Sequence, residues 1–98
     1  MKDQHTKIKG YRELSQAEID LMNAIKAEGE RLGELVDRVN AHISQQQAAT
    51  GSMEGEAQAA ERLRLNAATP ARWSALGRTH LQEGLMALVR SVAQPESF

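Results

Sequence analysis

Apolar positions recur every three or four residues over a long stretch in the first half of the chain. The stretch extends from Ser15 to Ile43, and its apolar or small positions are Ile19, Met22, Ile25, Gly29, Leu32, Val36, Val39 and Ile43. This alternation is typical of a helix face that packs on other helices. Ser15 and Glu18 match a capping box, in which both side chains accept hydrogen bonds from first-turn amides. The pattern predicts a long helix over residues 15–47.

The second half of the chain predicts another helix that is interrupted once. Residues 48–54 offer few core-forming side chains and predict a connecting loop. Helical patterning then extends over residues 55–93, with Thr69 and Pro70 in its interior. Proline lacks an amide hydrogen and disfavours a helical residue before it, so we expect a kink or a break over residues 66–70, with Thr69 capping the helix that follows. The apolar stripe expected on the last part consists of Trp73, Leu76, His80 or Leu81, Leu85, Leu88 and Val92.

These elements predict an all-α fold, an antiparallel hairpin of two long helices preceded by a short N-terminal segment over residues 1–14. We expect the 98 residues to form a single domain. The stretch from Ser15 to Ile43 is about 43 Å long as a helix, which exceeds what a small single-chain core needs. Aromatic residues make up only 3% of the chain, so its core is thin. We therefore expect a homo-oligomeric helical assembly.

Charge and residue content exclude several function classes. Twelve basic and 13 acidic side chains give a formal net charge of -1, which provides no general attraction to nucleic acid or anionic membranes. The sequence has no cysteine, and its histidines His5, His42 and His80 lack a metal-ligand spacing. Neither a nucleophile elbow nor a phosphate-binding glycine loop is present. We expect a soluble intracellular protein with no cofactor, no metal site and no enzymatic activity.

Several residues near the predicted long helix have more than one interpretation. Tyr11, flanked by Lys9 and Arg12, either packs over the start of the helix or stacks on a nucleobase while the cations meet phosphate. Lys26 borders the apolar stripe, where a lysine on most helices extends into water. Glycine costs up to about 1 kcal/mol in a helix interior relative to alanine. For Gly29 and Gly33 we therefore expect a second helix or a ligand to approach closely.

Longer residue strings at both ends of the chain resemble one family. The strings are HTKIKGYREL at residues 5–14, QAEIDLMNAIK at residues 16–26 and RWSALGRTHLQEGLMALVR at residues 72–90. They resemble the anti-CBASS sponge proteins of bacteriophages, which sequester cyclic oligonucleotide second messengers. The resemblance covers both ends of the chain, whereas the Gln- and Ala-rich middle contributes least to it.

The resemblance implies a helical homohexamer in the cytoplasm of the infected bacterial host, with neither a membrane nor linear nucleic acid as partner. It implies binding of cyclic dinucleotides such as cyclic GMP-AMP, and of cyclic trinucleotides at separate sites, without cleavage. The matching dinucleotide-binding residues are Tyr11, which stacks on the bases, and Lys26, which meets the phosphates. For the trinucleotide site the best match is Arg72, followed by Arg78 and Thr79.

The predicted helix adds a geometric condition and leaves two other function classes open. Ser15 and Lys26 are about 16 Å apart along a helix, so Tyr11 reaches Lys26 of its own chain only if the N-terminal segment folds back. A site that combines Tyr11 with Lys26 of a partner avoids this, and two-fold and three-fold axes of a hexamer match the symmetry of the two ligands. A self-association or adaptor protein without a nucleotide ligand explains the helical stripe equally well. A nucleic-acid binder would use the basic N-terminal segment, which the balanced charge disfavours.

Overall fold

The computed structural model describes residues 12–97, and over this range the chain forms helices and loops only. Helix α1 spans Gln16–Ala49 and is followed by a 3-10 turn at Thr50–Ser52. Helix α2 spans Gly55–Ala68 and helix α3 spans Pro70–Ala93. The predicted all-α hairpin, with two long helical arms of which the second is bent, is confirmed. Most of the predicted N-terminal segment lies outside the described residues, and the oligomeric state stays a prediction.

The start of α1 is fixed by the capping box that the sequence predicts. The Ser15 amide donates to Glu18 Oε1 at 2.8 Å, and the Glu18 amide donates to Ser15 Oγ at 3.2 Å. The Ile19 amide donates to the Ser15 carbonyl at 3.0 Å and closes the first turn. The amides of Ser15 and Glu18 precede the regular hydrogen bonds of the helix and would otherwise lack a partner inside it.

The connection between the two arms is shorter than predicted, because α1 continues two residues beyond position 47. The buried Thr50 donates its hydroxyl to the Gln47 carbonyl at 2.7 Å. Its own carbonyl accepts a hydrogen bond from Gln58 Nε2 at 2.9 Å, which ties the turn to α2. Gly55 begins α2 with a φ of +60°, a backbone conformation that glycine adopts without steric cost.

The kink or break predicted at Thr69 and Pro70 is a complete break between α2 and α3. Thr69 has a φ of 44° and a ψ of 57°, and its amide donates to the Leu65 carbonyl at 3.0 Å. The Thr69 carbonyl accepts from the amides of Arg72 at 3.1 Å and Trp73 at 3.3 Å. One residue therefore ends α2 and begins α3, and the proline occupies the first position of the new helix, where its missing amide hydrogen costs nothing.

The chain forms two compact units, one of residues 12–31 and 81–97 and one of residues 32–80. In the second unit, Ser74 Oγ of α3 donates to Asn40 Oδ1 of α1 at 2.5 Å. The buried apolar side chains among the described residues are Ile43 and Leu65, which are 8% and 7% exposed and belong to this unit. The prediction of a single domain over residues 1–98 stays a prediction.

The observed burial agrees with most of the stripe predicted for α1 but with only part of the stripe predicted for α3. Five predicted α1 positions are half-buried, namely Met22, Ile25, Gly29, Leu32 and Val36, and Ile43 is buried. On α3, Leu76, Leu85 and Val92 are half-buried as expected, whereas Trp73 is 61% exposed. Leu88 is also exposed, and its neighbour Val89 is half-buried instead. Between Leu85 and Val92 the half-buried position of α3 is thus Val89 instead of the predicted Leu88.

Candidate ligand-binding groove

An open groove of about 680 Å³ lies between α1 and α3 in the first unit. We call it the α1–α3 groove. Its lining is mostly apolar and consists of Met22, Asn23, Ile25, Lys26, Gly29, Leu85, Met86, Val89, Arg90, Ala93 and Pro95. Among these described residues Lys26 and Arg90 are cationic, and none is acidic. The groove therefore combines apolar walls with positive charge from both helices, which fits an anionic ligand that has apolar faces.

Helices α1 and α3 are tightly packed at Gly29. A Cβ atom added at Gly29 would lie 3.3 Å from Leu85 Cδ1, which is tighter than an ordinary van der Waals contact. The predicted close approach of a second helix is therefore confirmed for Gly29. An added Cβ at Gly33 would meet nothing within 4 Å among residues 12–97, so none of these residues approaches Gly33 in the way predicted.

Lys26 lies in the α1–α3 groove, together with a second cation that the sequence analysis missed. Arg90 donates from Nη2 to the Ser97 carbonyl at 3.1 Å, and none of the ion pairs among residues 12–97 includes Arg90 or Lys26. Lys26 directly follows the half-buried Ile25, and Arg90 follows Val89 in the same way. The stripe predicted for α3 contained Leu88 instead of Val89. Arg90 was therefore not recognised as bordering the apolar stripe of α3 in the way that Lys26 borders the stripe of α1.

Arg12 joins the beginning of α1 to the end of α3 at one end of this groove. Its Nε donates to the Ala93 carbonyl at 3.0 Å, and its Nη2 donates to the Val92 carbonyl at 2.8 Å. Its Nη1 donates to Glu18 Oε1 at 3.3 Å, and Nη2 forms a shorter ion pair with Glu18 Oε2. Tyr11, the adjacent residue in the sequence, lies outside the described residues, so its predicted stacking role stays a prediction.

The Glu18 carboxylate is stabilised in its charged form by these neighbours. The hydrogen bonds from the Arg12 guanidinium are the largest cause, and the backbone amide and hydroxyl of Ser15 add to them. Together they lower the pKa of Glu18 from 4.5 to about 2, against a smaller opposing effect of desolvation. Glu18 consequently stays ionised at neutral pH.

The residues matched to the trinucleotide site are Arg72, Arg78 and Thr79, which lie on α3 in the second unit. No hydrogen bond or ion pair joins any two of these three described residues. The guanidinium carbon of Arg72 lies 5.1 Å from the ring centroid of the exposed Trp73, within the range of a cation–π interaction. Arg72 and Thr79 are seven residues apart and share one face of α3, about 10 Å apart along its axis. Arg78 projects about 100° around the helix from Thr79, so the three residues do not form one cluster on a single chain.

A second, smaller cavity of about 310 Å³ adjoins the turn between the two arms. Its lining residues are Gln47, Thr50, Arg62, Leu65 and Asn66, and they include none of the predicted site residues. Arg62 Nε lies 3.5 Å from Thr50 Oγ1, at the limit of a hydrogen bond. The cavity is formed by the residues that stabilise the turn.

Two further findings concern the described residues as a whole. Between residues 12 and 97, no group of three or more His, Asp or Glu side chains has a geometry that could hold a metal ion. No helix in that range is both long enough and apolar enough to cross a bilayer.

Comparison with known proteins agrees with this architecture. Residues 3–93 match the family model described as the Acb2/Tad1 hairpin domain. The chain is also 43% identical over 106 aligned positions to the Anti-CBASS protein 2 of Pseudomonas phage JBD67, and the alignment covers 98% of both proteins. Because the family model spans nearly the entire sequence and the relative is similar over its full length, this chain belongs to the Acb2/Tad1 hairpin-domain family.

Proposed function

We propose that the protein binds cyclic oligonucleotide second messengers without cleaving them and thereby antagonises CBASS immunity of the bacterial host. Its similarity to the Anti-CBASS protein 2 of Pseudomonas phage JBD67 supports the antagonism. The α1–α3 groove is the single observation that supports nucleotide binding most directly. It combines apolar walls with Lys26 and Arg90 and has no carboxylate among its described lining residues.

A cyclic dinucleotide has the chemistry that such a groove fits. Its bases offer flat apolar faces, while its two phosphates are each negatively charged. The side chains of Met22 and Met86 are adaptable and suit contact with a flat base. Lys26 and Arg90 are both available to the phosphates, because neither has an acidic partner within residues 12–97. Tyr11 would add base stacking, which contributes about 1 to 3 kcal/mol per base.

For the cyclic trinucleotide we propose a separate site that includes Arg72. The guanidinium of Arg72 is already held over the Trp73 ring, so it loses little conformational freedom when it meets a phosphate. Thr79 lies on the same face of α3 and would add a hydroxyl group, whereas Arg78 would contribute from a neighbouring chain. A three-fold arrangement of chains would place three copies of these side chains around a three-fold ligand.

For the assembly we propose a homohexamer, which would bring three copies of the Arg72 site around one three-fold axis. Among the described residues, Leu63 and Met86 are 71% and 70% exposed, and only two apolar side chains are buried. Isolated exposed apolar residues are common in folded proteins, whereas so small a number of buried apolar side chains is unusual. The same exposure supports the alternative function of a self-association or adaptor protein that has no nucleotide ligand.

Calorimetric titration tests the proposal. We expect tight binding of cyclic GMP-AMP and, at other sites, of cyclic triadenylate, with both ligands recovered intact by chromatography after heat denaturation. Tyr11→Ala and Lys26→Gln should selectively weaken the dinucleotide. Loss of one charge-assisted hydrogen bond costs about 1.5 to 3 kcal/mol, so Lys26→Gln should raise the dinucleotide Kd about 10- to 150-fold.

The matched control is Arg31→Gln, which removes a cation from the exposed face of α1, where Arg31 pairs with Glu28 at 3.0 Å. It should leave both affinities unchanged. Wild-type dinucleotide affinity in a correctly folded Lys26→Gln protein would show that the assigned groove is wrong. Linear products would reveal an enzyme, and the absence of any binding would favour the adaptor function.

A further inference from the structure

Arg12 uses all three nitrogen atoms of its guanidinium on two separate structural elements. Two of its hydrogen bonds go to the Val92 and Ala93 carbonyls, at 2.8 and 3.0 Å. The remaining contacts go to both carboxylate oxygens of Glu18 in the first turn of α1. The residues that supply these acceptors are separated from each other by most of the length of the chain.

A nearby cation stabilises these acceptors, because all of them carry negative or partial negative charge. The last carbonyls of a helix have no partner within it and carry partial negative charge, which Arg12 neutralises at the end of α3. The Glu18 carboxylate adds a full negative charge beside them. A planar guanidinium can donate to a carboxylate and to two carbonyls at the same time, whereas the ammonium group of a lysine is a single point of attachment.

The location of these contacts relates Arg12 to the α1–α3 groove. Ala93, whose carbonyl binds Arg12, lines the groove together with Lys26. The hydrogen bonds therefore hold residue 12 beside the end of the groove formed by the last turn of α3. Residue 12 is also the covalent neighbour of Tyr11, so its position limits the directions from which residue 11 can approach a ligand in the groove.

We propose that Arg12 is a positioning residue for cyclic dinucleotide binding, acting through Tyr11 rather than on the ligand. This inference rests on the proposed function. Holding residue 12 against α3 fixes, before the ligand arrives, the point to which Tyr11 is covalently attached. A smaller loss of freedom on binding increases affinity, and the apparent Kd rises in proportion as the competent fraction of the protein falls.

The test is Arg12→Lys, which keeps the charge but cannot bridge Glu18 and the two carbonyls. If the competent fraction falls to about a tenth, the dinucleotide Kd rises about tenfold. The affinity for cyclic triadenylate should stay within about twofold, because the residues proposed for it lie in the other unit. Arg31→Lys is the matched control, since Arg31 also pairs with a glutamate of α1 but has no bond to α3. Glu18→Gln, which leaves the bonds to Val92 and Ala93 in place, should give a smaller loss.

A double-mutant cycle separates positioning from a purely structural effect. In the Tyr11→Ala background, Arg12→Lys should change the dinucleotide Kd by less than about twofold, because the ring that Arg12 positions is gone. An undiminished tenfold effect in that background would overturn the inference, as would wild-type affinity in Arg12→Lys. Equal losses for both ligands would also overturn it, since they would indicate damage to the whole assembly. Failure of the wild-type protein to bind the dinucleotide would instead refute the proposed function.

Discussion

Replacing Gly29 and Gly33 with alanine in separate variants should change stability in opposite directions. Alanine is favoured over glycine in a helix interior by about 1 kcal/mol, so both substitutions share this gain. At Gly33 an added Cβ meets nothing within 4 Å in the part of the chain that the structure describes. At Gly29 it lies 3.3 Å from Leu85 Cδ1, so the leucine must shift. Overpacking of this kind costs about 1 to 3 kcal/mol.

The net effects follow from these two contributions. Gly33→Ala should stabilise the protein by about 1 kcal/mol, because only the helix propensity changes. Gly29→Ala should be between neutral and destabilising by about 2 kcal/mol, because the contact with Leu85 offsets the same gain. For a domain of this size, 1 kcal/mol corresponds to a shift in Tm of about 4 to 8 °C. The Tm values of the two variants should therefore differ by at least about 4 °C.

Thermal unfolding followed by circular dichroism measures this difference. All samples need the same protein concentration, because association makes Tm depend on concentration. Gly29→Ala should also weaken cyclic dinucleotide binding, since Gly29 lines the α1–α3 groove, whereas Gly33→Ala should not. Equal Tm shifts for the two variants would refute the reasoning. Destabilisation by Gly33→Ala would show that another chain packs against a position that is open in this one.

Two further predictions concern a titrating group and a strained residue. The folded-state pKa of Glu18, about 2, lies below its ordinary value of 4.5, so its contribution to stability is present above about pH 4.5 and is lost as the pH falls toward 2. The Tm of the wild-type protein should therefore fall more steeply between pH 4.5 and 2 than that of Glu18→Gln, and parallel curves would contradict this. Thr69 has a φ of 44°, which is unfavourable for a β-branched residue, so Thr69→Gly should raise the free energy of unfolding by about 1 kcal/mol. Chemical denaturation measures that gain, with Thr69→Ala as a control that should give none.

The features that the sequence predicted well are those that depend on residues close together in the chain. The capping box of Ser15 and Glu18 acts within three residues, and the break at Thr69 and Pro70 follows from the proline itself. The stripe of α1 was recognisable because its period persists over many turns. Gly29 was informative because a helical glycine is costly unless something packs against it.

The features that the sequence did not reveal depend on how distant elements pack. Arg12 was interpreted as a possible phosphate ligand, whereas the structure shows it bonded to carbonyls 80 and 81 residues away. Arg90 was missed because the position beside it, Val89, was not predicted to face inward, and a helical period of three or four residues permits either Leu88 or Val89 after Leu85. Half-buried Val89 and exposed Leu88 are adjacent apolar residues, and composition alone cannot order them.

Trp73 is the one tryptophan of the sequence, so its indole provides an intrinsic optical signal from a known place on α3. The ring is largely exposed and has the Arg72 guanidinium over its face. Its emission is therefore sensitive both to water and to the charge that Arg72 faces. A ligand phosphate that draws Arg72 away would alter the spectrum, while occupancy of the groove around Lys26 would leave it unchanged. The unmodified protein thus contains its own reporter for distinguishing occupancy of the two proposed sites.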